Sequence, residues 1–130
     1  MKNRRAVALL LALITLMIVS LLVVAFLELT TIDLQIVSNH LSRNQAVYLA
    51  DAGVEDALNR LKSSKLNFSS GLIELPSGSG NTYNVTYASA SGTITSVGRL
   101  NSGLQVTLEV KASVTGTSPY KVKIIYYREI

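Results

Sequence analysis

The sequence predicts an α+β protein in which one long N-terminal transmembrane helix extends into a soluble half and packs on a small antiparallel sheet of about four strands. Three observations predict it. Residues 6–27 are an apolar run without charge, helical spacing continues from 28 to 62 without a proline, and from residue 82 onward apolar residues recur with a period of two. With 130 residues, the chain has room for one small domain, not two.

Twelve Lys and Arg against eight Asp and Glu give a net charge of +4, and the mean hydropathy is +0.36. Both excesses are local. Lys2, Arg4 and Arg5 make residues 1–5 a basic leader with no acid, whereas residues 28–130 hold nine bases and eight acids. A nearly neutral exposed part predicts no nucleic-acid partner, because phosphate binding needs a clustered basic face.

Ala6 to Leu27 has only Thr15 and Ser20 as polar members. As a helix it would extend roughly 33 Å, enough for the ~30 Å hydrocarbon layer. The run is longer than the ~7–15 residue core of a cleaved secretory signal. A single-pass anchor is therefore expected, and the preceding bases orient it with the N-terminus in the cytoplasm and the C-terminal domain outside. The absence of cysteine excludes a disulfide framework and a thiolate metal site.

Beyond the span, Leu29, Ile32 and Ile36 and then Val47, Ala50, Val54, Ala57 or Leu58, and Leu61 keep helical spacing, so residues 28–62 read as an extended amphipathic helix. Asp56 and Arg60 stand at i,i+4 in the favourable order. Gly53 costs about 1 kcal/mol relative to alanine inside a helix and marks a bend or a close backbone approach.

Residues 63–81 are rich in Ser, Gly, Pro and Asn and read as a loop, leaving 82–130 as the sheet. Thr82–Tyr87, Gly92–Val97, Leu104–Val110 and Tyr120–Tyr127 are the four expected strands, joined by connections short enough for hairpins. Parity places Val106, Leu108 and Val110 with Tyr120, Val122, Ile124 and Tyr126 on an inward face. Thr107, Glu109, Lys111, Lys121 and Lys123 then face water. The helical stripe from Val47 to Leu61 covers the inward face.

Little in the chain reads as chemistry. His40 is the sole histidine and reads as a surface residue, with no second ligand at helical spacing. Asp51 and Glu55 are i,i+4 but lack a nucleophile, base or metal partner, so a solvated or subunit-contacting helix face is expected. No phosphate loop and no Ser-His-Asp set occurs. The expectation is a chain that is not an enzyme and needs no cofactor or metal.

A basic leader followed by an apolar helix that runs on into a small antiparallel sheet resembles the type IV pilins and the pseudopilins of type II secretion. Arg4-Arg5-Ala6-Val7-Ala8-Leu9-Leu10-Leu11 is similar to the start of minor subunits of the PilX type and of the K-type minor pseudopilin. Ala46-Val47-Tyr48-Leu49-Ala50-Asp51-Ala52-Gly53-Val54-Glu55 resembles the Tyr-Leu-Ala-acidic-Ala-Gly-hydrophobic-Glu stretch of those subunits. Gly92–Gly98 with Leu104–Val110 resembles their C-terminal hairpin.

The resemblance implies a pilin-like fold and a minor structural subunit, stored in the cytoplasmic (inner) membrane and assembled with other pilin or pseudopilin subunits into a pilus or secretion filament. It implies that Ala6, Leu10, Leu13, Met17 and Leu21 pack in the helical core of that filament. It also implies processing between Arg5 and Ala6 by prepilin peptidase, with methylation of the new terminus. Arg5 stands where family leaders carry glycine, and Leu10 stands where major pilins carry the glutamate that meets a neighbour's terminal amine. A subunit without that acid resembles the K-type member at the filament tip. The Ca²⁺ site of some pseudopilins is not expected, since the loops offer only Glu74. The alternative, from a different class, is a single-pass anchored extracytoplasmic binding module that does not assemble, with 28–62 as its stalk.

Overall fold

The computed structural model describes residues 2–130, without the side chains of Lys2, Asn3 and Arg5. Met1 of the leader and the Arg5 side chain at the expected processing junction thus lie outside the described residues. The chain divides into two compact units, one ending at Asn39 and one spanning His40–Ile130.

One helix, α1 (Lys2–Ser63), contributes to both units. It contains no proline and only one glycine, so nothing removes a main-chain hydrogen bond from its ladder. Four of the hydroxyls that would compete with the helix are turned back on it. Thr15, Ser20, Thr30 and Thr31 donate to the carbonyls of Ala12, Leu16, Phe26 and Leu27 at 2.8–2.9 Å. Arg60 and Lys62 occupy the last turn, where cations complement the helix dipole.

In the first unit every described side chain from Arg4 to Asn39 is exposed, including Leu9, Leu16 and Phe26. The helix is long and apolar enough to cross a membrane.

The second unit is an open antiparallel sheet covered on one face by the end of α1. Its strands are β1 (Phe68–Ser69), β2 (Ile73–Glu74), β3 (Thr82–Ala88), β4 (Thr93–Arg99), β5 (Gln105–Thr115) and β6 (Lys121–Glu129). The order is β1-β3-β4-β5-β6, with β2 also paired to β3, and every pairing is antiparallel. Alternation is clean in the three central strands. Tyr83, Val85 and Tyr87, then Ile94, Ser96 and Gly98, then Val106, Leu108, Val110 and Ala112 are buried against Ala46, Leu49, Ala50, Val54, Ala57 and Leu61 of α1. Fully burying a side chain such as Leu61, Ile94 or Leu108 contributes about 1.5–3 kcal/mol. The β3–β4 turn needs Gly92, which has φ 67° and sits where a Cβ would meet the Ala112 carbonyl oxygen at 2.7 Å.

Two expectations are corrected. The stretch 63–81 is not wholly loop: it supplies two-residue strands, β1 and β2, that cap β3, so the sheet has six strands rather than four. The inward parity of β6 does not run through to Tyr126. Lys111 pairs with Tyr126 but Ala112 pairs with Ile124, so Ile125 is an extra residue that switches the facing of everything after it. Val122 and Ile124 keep inward parity, opposite Val114 and Ala112. Past the bulge Tyr127, opposite Val110, takes the inward position and Tyr126 turns outward. None of β6 is fully buried.

Candidate functional site

The helix segment that resembles the pilin-like motif is the part of α1 laid on the sheet, and its small residues explain how close the two come. Ala46, Ala50, Gly53 and Ala57 follow one another at steps of four, three and four, which makes one narrow stripe. All four are buried. Opposite them β4 offers Ser96 and Gly98, also small and two apart.

A Cβ on Gly53 would strike the Ser96 hydroxyl and come within 3.0 Å of Tyr83 Cδ2. A Cβ on Gly98 would strike the Ala46 carbonyl oxygen and come within 2.6 Å of the Ala50 amide nitrogen. The helix backbone therefore rests almost directly on the β4 backbone. Ser96 is fully buried and satisfied, its hydroxyl donating to the Ala50 carbonyl oxygen at 2.7 Å. Sequence reasoning singled out the helical half of this seam and missed Ser96 and Gly98. The signal was present: two small residues on the inward parity of one strand, facing a run of alanines.

The rest of the motif forms the rim. Tyr48 is 71% exposed and Glu55 is exposed, whereas Leu49 is buried and Ala52 half-buried. Asp51, half-buried, accepts a hydrogen bond from the Tyr127 hydroxyl. Partial burial and that carboxylate hold the Tyr127 phenol above its ordinary range, burial being the larger cause. Tyr48 and Leu49 also line a 340 Å³ groove with Gln45, Leu75, Pro76, Asn81 and Leu100.

Strand β6 is fastened from both sides. On the helix side, Arg43 Nη2 donates to the Glu129 carboxylate at 2.7 and 2.8 Å, beside the Tyr127–Asp51 bond. On the outer side, the Tyr126 hydroxyl at 2.6 Å and Arg128 Nη2 at 2.7 Å both donate to Glu109 Oε1. The Tyr126 bond first, and then Arg128, hold the Glu109 carboxyl below its usual range. Glu74, at the end of β2, accepts the Gly80 amide at 2.5 Å, and backbone N–H donation from Gly80 and Gly78 lowers its pKa likewise.

The residues implied for helix-core assembly lie in the other unit. Ala6 is exposed, and Leu10, Leu13, Met17 and Leu21 are 60–66% exposed. His40 is exposed on α1. Among the described residues no group of three or more His, Cys, Asp or Glu is placed to hold a metal ion. What the arrangement offers is contact surface: an apolar helix in the first unit, and a rigid helix-on-sheet platform in the second. No family model, no curated protein and no solved structure matches the chain.

Proposed function

We propose that the protein is a minor pilin- or pseudopilin-like structural subunit, stored in the cytoplasmic membrane by its N-terminal helix, with the sheet outside. It then assembles through that helix, with other subunits of its kind, into a type IV pilus or type II secretion filament. The reading is of a structural chain rather than an enzyme. One observation carries it: the charge-free, fully exposed helix of residues 6–27 continues without a break into the helix that covers the sheet.

Lipid and equivalent helices of sister subunits both satisfy such an apolar surface, so transfer from one to the other costs little when the filament supplies matching helices. Leu10, in place of an acid, allows the leading copy to stand at the tip, where no terminal amine has to be met. Processing by prepilin peptidase before Ala6 is part of the proposal. A mature chain that begins at Ala6 supports it, and an intact Met1 terminus refutes it.

Assembly is tested by single cysteines at positions 9–20 of a chain that has none of its own. Cross-linked oligomers with other helix-anchored subunits support the filament, and monomers throughout sink it. The second reading, an anchored binding module that does not assemble, draws on the groove beside Tyr48. It predicts those monomers.

A further inference from the structure

The second unit, residues 40–130, carries nine Lys and Arg against six Asp and Glu, and four of its five lysines are gathered at one end. The turn between β5 and β6 is tied to the end of α1 by the Tyr120 amide, which donates to the Lys62 carbonyl at 2.9 Å, and by Lys65 Nζ, which donates to the Gly116 carbonyl at 3.2 Å. This brings Lys62 and Lys65 to the same end as Lys121 and Lys123, which pair with Thr115 and Ser113. Among the described residues the ion pairs are Arg43–Glu129, Arg60–Asp56 and Arg128–Glu109, so none of these four lysines is in one.

A complementary stretch lies elsewhere in the same chain. Glu28 and Asp33 are the only Asp, Glu, Lys or Arg residues between Ala6 and Ser42, and both are exposed. They sit among Leu29, Ile32 and Ile36, which are 49–62% exposed and lie beyond the charge-free run.

We propose that the lysine end of one copy, formed by Lys62, Lys65, Lys121 and Lys123, docks on the Glu28–Asp33 stretch of a second copy. The contact deepens the filament reading above and rests on it. Two features favour a second copy over a nucleic acid or an anionic membrane. A polyanion neutralises the lysines but leaves Leu29, Ile32 and Ile36 in water, whereas the aliphatic stems of lysines cover apolar surface while their ammonium groups meet carboxylates. The contact is also heterologous, joining unlike patches, and so extends in one direction without closing.

The test uses the full chain in its native membrane, with Leu13→Cys as the reporter of assembly. Glu28→Gln with Asp33→Asn, which adds no base beside the span, is expected to lower the cross-link yield about tenfold, as is Lys121→Glu with Lys123→Glu. Glu28→Gln with Asp33→Asn combined with Lys121→Glu and Lys123→Glu is expected to lower the yield no further than either pair alone. Three results overturn the contact while leaving the filament reading standing: yields that ignore either set of changes, losses that multiply when the two sets are combined, or salt-sensitive capture of duplex DNA or phosphatidylglycerol vesicles by the lysine end with cross-linking unaffected. No cross-link in the unaltered reporter chain overturns the filament reading itself, and the contact with it.

Discussion

Ser96 and Ala50 are joined by a buried 2.7 Å hydrogen bond in which the strand hydroxyl donates to the helix carbonyl oxygen. The bond forms only because Gly53, one turn further along α1, has no Cβ to occupy the space of that hydroxyl. A small residue on each element thus sets the distance between helix and sheet, and everything buried beside it is packed to that distance.

Gly53→Ala separates two opposing effects. Helix propensity favours alanine by about 1 kcal/mol, and the clash with Ser96 and Tyr83 costs about 1–3 kcal/mol. The clash wins here because both neighbours are buried. Thermal unfolding followed by circular dichroism is expected to show a net loss of about 1–2 kcal/mol. Gly98→Ala should cost more, since its obstacle is helix backbone rather than a side chain.

Ser96→Ala removes the hydroxyl but leaves Ala50 with its own helical bond, so a loss of about 1 kcal/mol is expected. In the double variant with Gly53→Ala the nearer obstacle is gone and only Tyr83 remains, so the combined cost should fall short of the sum of the separate values by about 0.5–2 kcal/mol. Strict additivity in denaturant unfolding would contradict the close approach.

The Tyr127 phenol is held above its ordinary pKa near 10, so the folded state keeps its proton where the unfolded chain loses it. Its contribution to stability is fully present below about pH 10 and falls as pH rises through the alkaline range. Stability measured between about pH 8 and 11 should decline less steeply in Tyr127→Phe than in the unaltered protein.

Glu109 behaves in the opposite sense. Tyr126 and Arg128 lower its pKa, so its contribution is present above the ordinary carboxylate range near 4.3 and is lost as pH falls below it. Tyr126→Phe, which removes the largest single cause, and Arg128→Gln should each flatten the acid limb of the stability profile.

How much of this was legible in the sequence depended on whether the pattern was regular. Val106, Leu108 and Val110 alternate without interruption, and their facing followed from parity alone. Tyr126 and Tyr127 did not follow, because parity holds only until a bulge, and nothing in Lys-Val-Lys-Ile-Ile-Tyr-Tyr announces that Ile125 goes unpaired. The two-residue strands Phe68–Ser69 and Ile73–Glu74 are too short to show any period. In the seam, Ala50 and Gly53 stood out as small residues in a helix, yet their meaning depends on Ser96 and Gly98, more than forty positions away in the chain. The bond between Ser96 and Ala50 exists only once the strand has been laid against the helix.

The central claim is that residues 6–27 exchange lipid for other helices. It is tested most directly by the pattern of cross-linking along that helix in native membranes, one cysteine at a time. The account predicts that yields at Leu10, Leu13, Met17 and Leu21 rise together and that positions on the opposite face stay low, giving a period near 3.6 residues. Monomers at every position, or low yields without any helical period, would contradict it.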